Sequence, residues 1–97
     1  MNKWRLTPAA RRDLVVIWNY TAERWGIDQA EDYVGNIRAV LSDAASGTPL
    51  IQRIDEVRSD YFRIRTRRHL CYFKRLANDD IQVIRILHER MDVKGRL

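Results

Sequence analysis

The hydrophobic period of this chain changes once, and that change limits the fold more than any other feature. As far as Ala44, apolar residues recur every three or four positions, as on one face of a helix. From Ile51 onward they alternate, as on one face of a strand. A helical half followed by a stranded half predicts an α+β domain.

Thr7-Pro8 reads as a helix start, with Thr7 as N-cap and Pro8 at the first helical position, where a missing N–H costs nothing. Ala10, Leu14, Ile17, Trp18, Thr21 and Trp25 then form one stripe, and core packing is the expectation for Trp18 and Trp25. Gly26 ends this helix. Asp28 and Glu31 resemble a capping box that opens a second helix with the stripe Ala30, Tyr33, Val34, Ile37, Val40, Leu41 and Ala44. Gly47 and Pro49 end it. Only Gly26 and Ile27 lie between the two helices, so they should pack as an antiparallel hairpin.

Residues 3–6 suggest a short edge strand. In residues 61–66, Phe62 and Ile64 point one way, Arg63 and Arg65 the other. Arg67-Arg68 is a tight break, 69–76 a second strand, Asn78-Asp79-Asp80 a turn and 81–87 the most apolar strand, hence interior. Short turns make these three an antiparallel meander. The expected order is β-α-α-β-β-β in one domain spanning 1–97: a helical hairpin on one face of a small antiparallel sheet, the other face exposed.

Charge separates the same halves. Residues 1–57 carry seven Lys/Arg against eight Asp/Glu, and residues 58–97 carry eleven against five. The positive field of the second half favours an acidic partner or a nucleic acid, although it also serves solubility. The single cysteine, Cys71, excludes an intrachain disulfide and reads as a small buried strand residue. No signal peptide or bilayer-length apolar run is present, which makes a reducing cytoplasm the default. No phosphate loop, nucleophile elbow or metal-ligand spacing occurs, and no cofactor is called for. Arg63, Arg65, Arg75 and Arg85 could line an open sheet face with His88 at its end. Such a set would grip phosphates or carboxylates beside an acid–base group, or merely keep the face soluble.

The chain also resembles a family. The resemblance lies in Leu6-Thr7-Pro8-Ala9-Ala10, Asp13-Leu14, Ile17-Trp18-Asn19-Tyr20-Thr21, Trp25-Gly26, Gln29-Ala30 and Tyr33. It continues through His69, Tyr72-Phe73-Lys74 and the closing run from Val83 to Asp92. This ordered set is similar to the ParE toxins of the RelE/ParE superfamily and covers nearly the whole chain. The resemblance implies a non-catalytic inhibitor of DNA gyrase that blocks replication. It also implies neutralisation by a ParD-like antitoxin whose disordered tail folds on the toxin, and contact with DNA only through that complex. On this reading Arg85, His88, Glu89, Arg90, Met91 and Asp92 meet the target from the exposed end of a rigid strand. Tyr61, Arg63 and Arg65 meet the antitoxin. RelE-like members of the same fold cleave mRNA on the ribosome, with basic residues and an acid–base group. Here no tyrosine follows Tyr72, and Glu89 and Asp92 would repel RNA near such a centre. A non-toxic, antitoxin-binding relative is the third alternative.

Overall fold

A computed structural model describes residues 3–97. Its elements are β1 (Trp4–Leu6), α1 (Pro8–Trp25), α2 (Ile27–Ser46), β2 (Gln52–Arg53), β3 (Phe62–Thr66), β4 (His69–Arg75) and β5 (Ile81–His88). The strands form one sheet in the order β1-β5-β4-β3-β2. The α+β class and the helical hairpin are as expected. The sheet is mixed rather than antiparallel throughout, because β1 runs parallel to β5, with Trp4 opposite Ile81 and Leu6 opposite Val83. The two helices intervene between β1 and the rest of the sheet, long enough for the crossover that parallel pairing needs. β2 is a two-residue addition on the far edge, which has no alternation to reveal it.

The helix boundaries follow from their caps. The Thr7 hydroxyl accepts from the Ala10 N–H at 3.1 Å and donates to the Ile84 carbonyl at 2.9 Å, so it caps α1 and fastens it to β5. Gly26 alone joins the helices, at φ 95° and ψ 168°. The expected capping box is absent: α2 starts one residue earlier than Asp28, with Gly26 at its cap position and no side-chain cap. The cap residue is a glycine, which has no side chain to accept a helix N–H, and its φ of 95° is one that side-chain-bearing residues rarely adopt.

Ala10, Leu14 and Ile17 of α1 and Val34, Ile37 and Leu41 of α2 pack on Ile64, Cys71, Phe73, Ile81, Val83 and Ile86 of the sheet. A bulge decides which β5 residues join them. Tyr72 pairs with Arg85 but Phe73 pairs with Val83, so Ile84 is an extra residue and the alternation reverses there. Ile86 thereby enters the main core and Leu87 turns away. The far face is not open, as the sequence suggested. Leu70, Tyr72 and Leu87 form a second cluster there with Ile54, and Tyr61, Val93 and Leu97 pack against it. The chain beyond β5 folds back to cover this face, which explains why Leu70 through Phe73 are buried without alternation.

Candidate partner-binding site

The strand that closes the fold delivers the candidate residues to two different places. Arg85 goes to the first. β1 pairs with β5 only as far as Val83, which leaves the upper edge of β5 uncovered. Asp13, one turn into α1, fills the gap. Its carboxylate accepts from the Ile86 N–H at 2.9 Å and from Arg85 Nε and Nη2 at 2.7 and 2.9 Å. The pair is mostly buried, with side chains 25% and 14% exposed. The hydrogen bond to Asp13 raises the Arg85 pKa above its ordinary value, so the guanidinium stays charged. Arg85 is a lock between sheet and helix, not a free contact residue.

The other arginines do not share one face either. Arg75 reaches the Ala44 carbonyl near the end of α2, where a cation meets the negative end of the helix dipole. Arg63 Nε donates to Gln52 Oε1 at 2.9 Å across the β2–β3 pair. Arg65 binds Glu89 at 2.6 Å. Tyr61 is half-buried in the second cluster, and the Arg58 guanidinium lies 5.3 Å from its ring centroid. Arg63 and Arg65 project from the sheet face away from the helices, beside that cluster.

The second place is the turn after β5. The Glu89 N–H donates to the Arg68 carbonyl at 2.8 Å, while its carboxylate takes Arg65 at 2.6 Å and Arg68 at 3.4 Å. The Arg65 hydrogen bond, then the fields of Arg65 and Arg68, hold its pKa below the usual carboxylate value. Glu89 thus clasps the β3–β4 turn, and Arg90, Met91 and Asp92 follow, exposed. Asp92 does not pair with Arg90. Its carboxylate accepts the Lys94 N–H at 3.0 Å and its carbonyl accepts Arg96 Nε at 2.7 Å, which shapes the return of the chain.

His88 faces the helices rather than the open end of the sheet. It sits opposite His69 across the β4–β5 pair, with the rings edge to face at 5.4 Å. Its Nδ1 accepts the Arg90 N–H at 3.2 Å. His69 Nδ1 lies 2.7 Å from the Tyr33 hydroxyl, which itself accepts the Arg68 N–H at 3.3 Å. Tyr33 therefore has its hydrogen free for His69, the assignment that leaves no donor idle. Burial, followed by the neighbouring His88, lowers the His69 pKa to about 4. At neutral pH His69 is uncharged.

Two adjoining clefts open over this pair. One, of about 330 Å³, is lined by Tyr20, Trp25, Gln29, Arg67 and Arg68 with the histidines. The other, of about 320 Å³, is lined by Val16, Ile17, Tyr20 and Met91 with the same histidines. Trp25, expected in the core, is instead 62% exposed at the rim. The last turn of α1 projects past the sheet, so its stripe has nothing left to cover it. Sequence reasoning missed the pairing of His69 with His88 and of Tyr33 with His69, because the first needs the strand register across the Asn78-Asp79-Asp80 turn and the second joins residues 36 positions apart.

Among the described residues no group of three or more His, Cys, Asp or Glu could hold a metal ion, and no helix is long and apolar enough to cross a membrane. The family model for the ParE toxin of the type II toxin–antitoxin system, parDE, matches residues 4–93. Toxin ParE1 of Mycobacterium tuberculosis is 34% identical over 96 residues, covering 99% of this chain and 98% of the relative. Toxin ParE1 of Caulobacter vibrioides is 30% identical over 97 residues, covering 100% and 99%. Among solved structures, a chain of the chromosomal ParDE TA system from P. aeruginosa superposes with a TM-score of 0.64 over 91% of this chain and 96% of that one. At 18% identity that likeness speaks for the fold alone. Sequence likeness from end to end and a shared fold lead to one conclusion: this chain belongs to the ParE toxins of type II toxin–antitoxin systems.

Proposed function

We propose that this protein inhibits DNA gyrase in the bacterial cytoplasm, by binding rather than by catalysis, and that a ParD-like antitoxin neutralises it. The observation that carries the reading is the end-to-end match to ParE toxins. The exposed turn of Arg90, Met91 and Asp92 adds physical support. It follows a rigid strand and is fixed by the Glu89 clasp, so a target would meet it with little ordering cost. His88 and Glu89 support that turn from below, and Arg85 acts on it only by holding β5 in place. Tyr61, Arg63 and Arg65 remain the proposed antitoxin contact, on a basic face that suits an acidic tail. Because Arg65 is also a partner of Glu89, an antitoxin that drew Arg65 away would loosen the target-binding turn. DNA would be met only through the antitoxin complex.

The mRNA endonuclease alternative has less to draw on, since Arg85 is committed to Asp13 and Arg65 to Glu89. The test is supercoiling by purified gyrase with the protein added, run beside cleavage of ribosome-bound mRNA. Lost supercoiling or accumulated cleaved DNA with intact mRNA is the expected result. Cut mRNA with unaffected gyrase would overturn it, and no effect in either assay, with no growth arrest on expression, would leave a non-toxic relative.

A further inference from the structure

The His69–His88 pair is more elaborate than a strand end requires. Each Nδ1 is used internally, and neither Nε2 has a hydrogen-bond partner among the described residues. No unpartnered side-chain polar atom is buried there, so both Nε2 groups are open to solvent. With Nδ1 accepting in both rings, both Nε2 atoms carry hydrogen and are donors. Arg67 and Arg68 lie alongside. Each is already shared with a carboxylate, Asp32 at 3.0 Å and Glu89 at 3.4 Å. The site therefore offers several donors but only a small excess of positive charge. That suits a single-charged carboxylate better than a phosphate dianion, which would face Asp32 and Glu89 uncompensated.

The surroundings are apolar. Val16, Tyr20, Trp25 and Met91 line the two clefts, and all four are large apolar side chains left exposed. Each cleft has room for one or two side chains, and the histidines form the floor common to both. We propose that this double cleft receives a short peptide segment of a protein partner, with the carboxylate of one Asp or Glu on His69 and His88 and the aliphatic side chains flanking it in the two clefts. Donors at the centre and apolar walls on either side specify that order of residues. The proposal rests on the reading of the turn after β5 as a partner-contact surface, and extends it from the tip of the turn to the groove behind it.

The test is an NMR titration of the full chain with a terminally blocked Leu-Glu-Leu-Leu peptide, its Leu-Gln-Leu-Leu counterpart and inorganic phosphate. The Glu peptide is expected to give saturable shifts at the ring signals of His69 and His88 and at the Trp25 indole. The Gln peptide should bind about tenfold more weakly, as loss of a charge-assisted hydrogen bond implies. Trp25→Ala, a change at an exposed position that keeps the fold, should weaken the Glu peptide several-fold. His88→Phe should remove the preference for Glu over Gln. Equal affinity for both peptides, shifts that avoid the histidines, or phosphate binding as tight as the Glu peptide would each overturn the proposal. So would self-association that moves the same signals without peptide, which would assign the cleft to a second copy. The gyrase assay separates the two readings: inhibition without peptide binding removes the cleft alone, whereas peptide binding without inhibition removes gyrase as the target.

Discussion

One carboxylate, Asp13, serves a backbone N–H on the β5 edge and two guanidinium nitrogens of Arg85. Removing either charge would leave the other half-desolvated without its counter-ion, held only by the Ile86 N–H in one case and the Arg96 carbonyl in the other. Arg85→Ala is expected to cost about 2–3 kcal/mol in urea denaturation, somewhat less than for a fully buried pair. Arg85→Lys should not restore it, because a lysine cannot match the two-point geometry. Activity lost in such variants would reflect folding, not target contact. His69 gives a pH dependence whose sign is fixed by its lowered pKa. Between its ordinary 6.5 and about 4, the unfolded chain binds a proton that the native chain refuses. His69 therefore contributes full stability above pH 6.5, and that contribution is lost as pH falls toward 4. Thermal melts across that range should show a slope that His69→Phe flattens; an unchanged slope would count against a buried neutral His69. Neither role was legible in the sequence. Asp13 and Arg85 are 72 residues apart, and nothing local to either marks the other.

Among the elements, the helices were the most legible, because their stripes are long and their stops are glycine and proline. What escaped was set by neighbours. The bulge at Ile84 reverses the alternation in β5, so a strict two-residue reading puts Arg85 in line with Val83 and misplaces it. The parallel partner of β5 could not be inferred from three residues at the other end of the chain. The Gly26 link tests the hairpin directly. A Cβ there would meet no atom within 4 Å, so the only penalty for Gly26→Ala is the positive φ of 95°. A loss of about 1–2 kcal/mol is expected, measured by denaturation, with gyrase inhibition retained in the folded fraction. The segment after β5 is the opposite case. Truncation after Leu87 removes the Glu89 clasp and the cover that Val93 and Leu97 give the second cluster. Such a chain should lose both its cooperative melting transition and its toxicity, whereas Met91→Ala, at an exposed tip, should affect toxicity alone.

The whole molecule is a sheet with a core on each side, and Cys71 reports on its integrity. Its thiol is wholly buried, which pushes its pKa up to about 12. Thiol reagents should leave the native protein untouched and label it only as fast as it unfolds; rapid labelling in buffer would reveal an opening of the main core short of global unfolding. The charge asymmetry foretold a basic half, but not that seven of its arginines, at 58, 65, 67, 68, 75, 85 and 96, are engaged with carboxylates or carbonyls of the same chain. The pairing of β1 with β5 has a further consequence, for the moment of synthesis. The first strand made is completed by the last, across almost the full length of the chain, and such distant closure is slow and contributes nothing until both ends are available. A ribosome that has translated only the helices and the first hairpin holds a chain whose opening strand has no neighbour and whose Thr7 and Asp13 have no edge to fasten. The nascent polypeptide is thus expected to stay short of its native fold until its final strand emerges, and a fragment ending before β5 should show no cooperative melting transition.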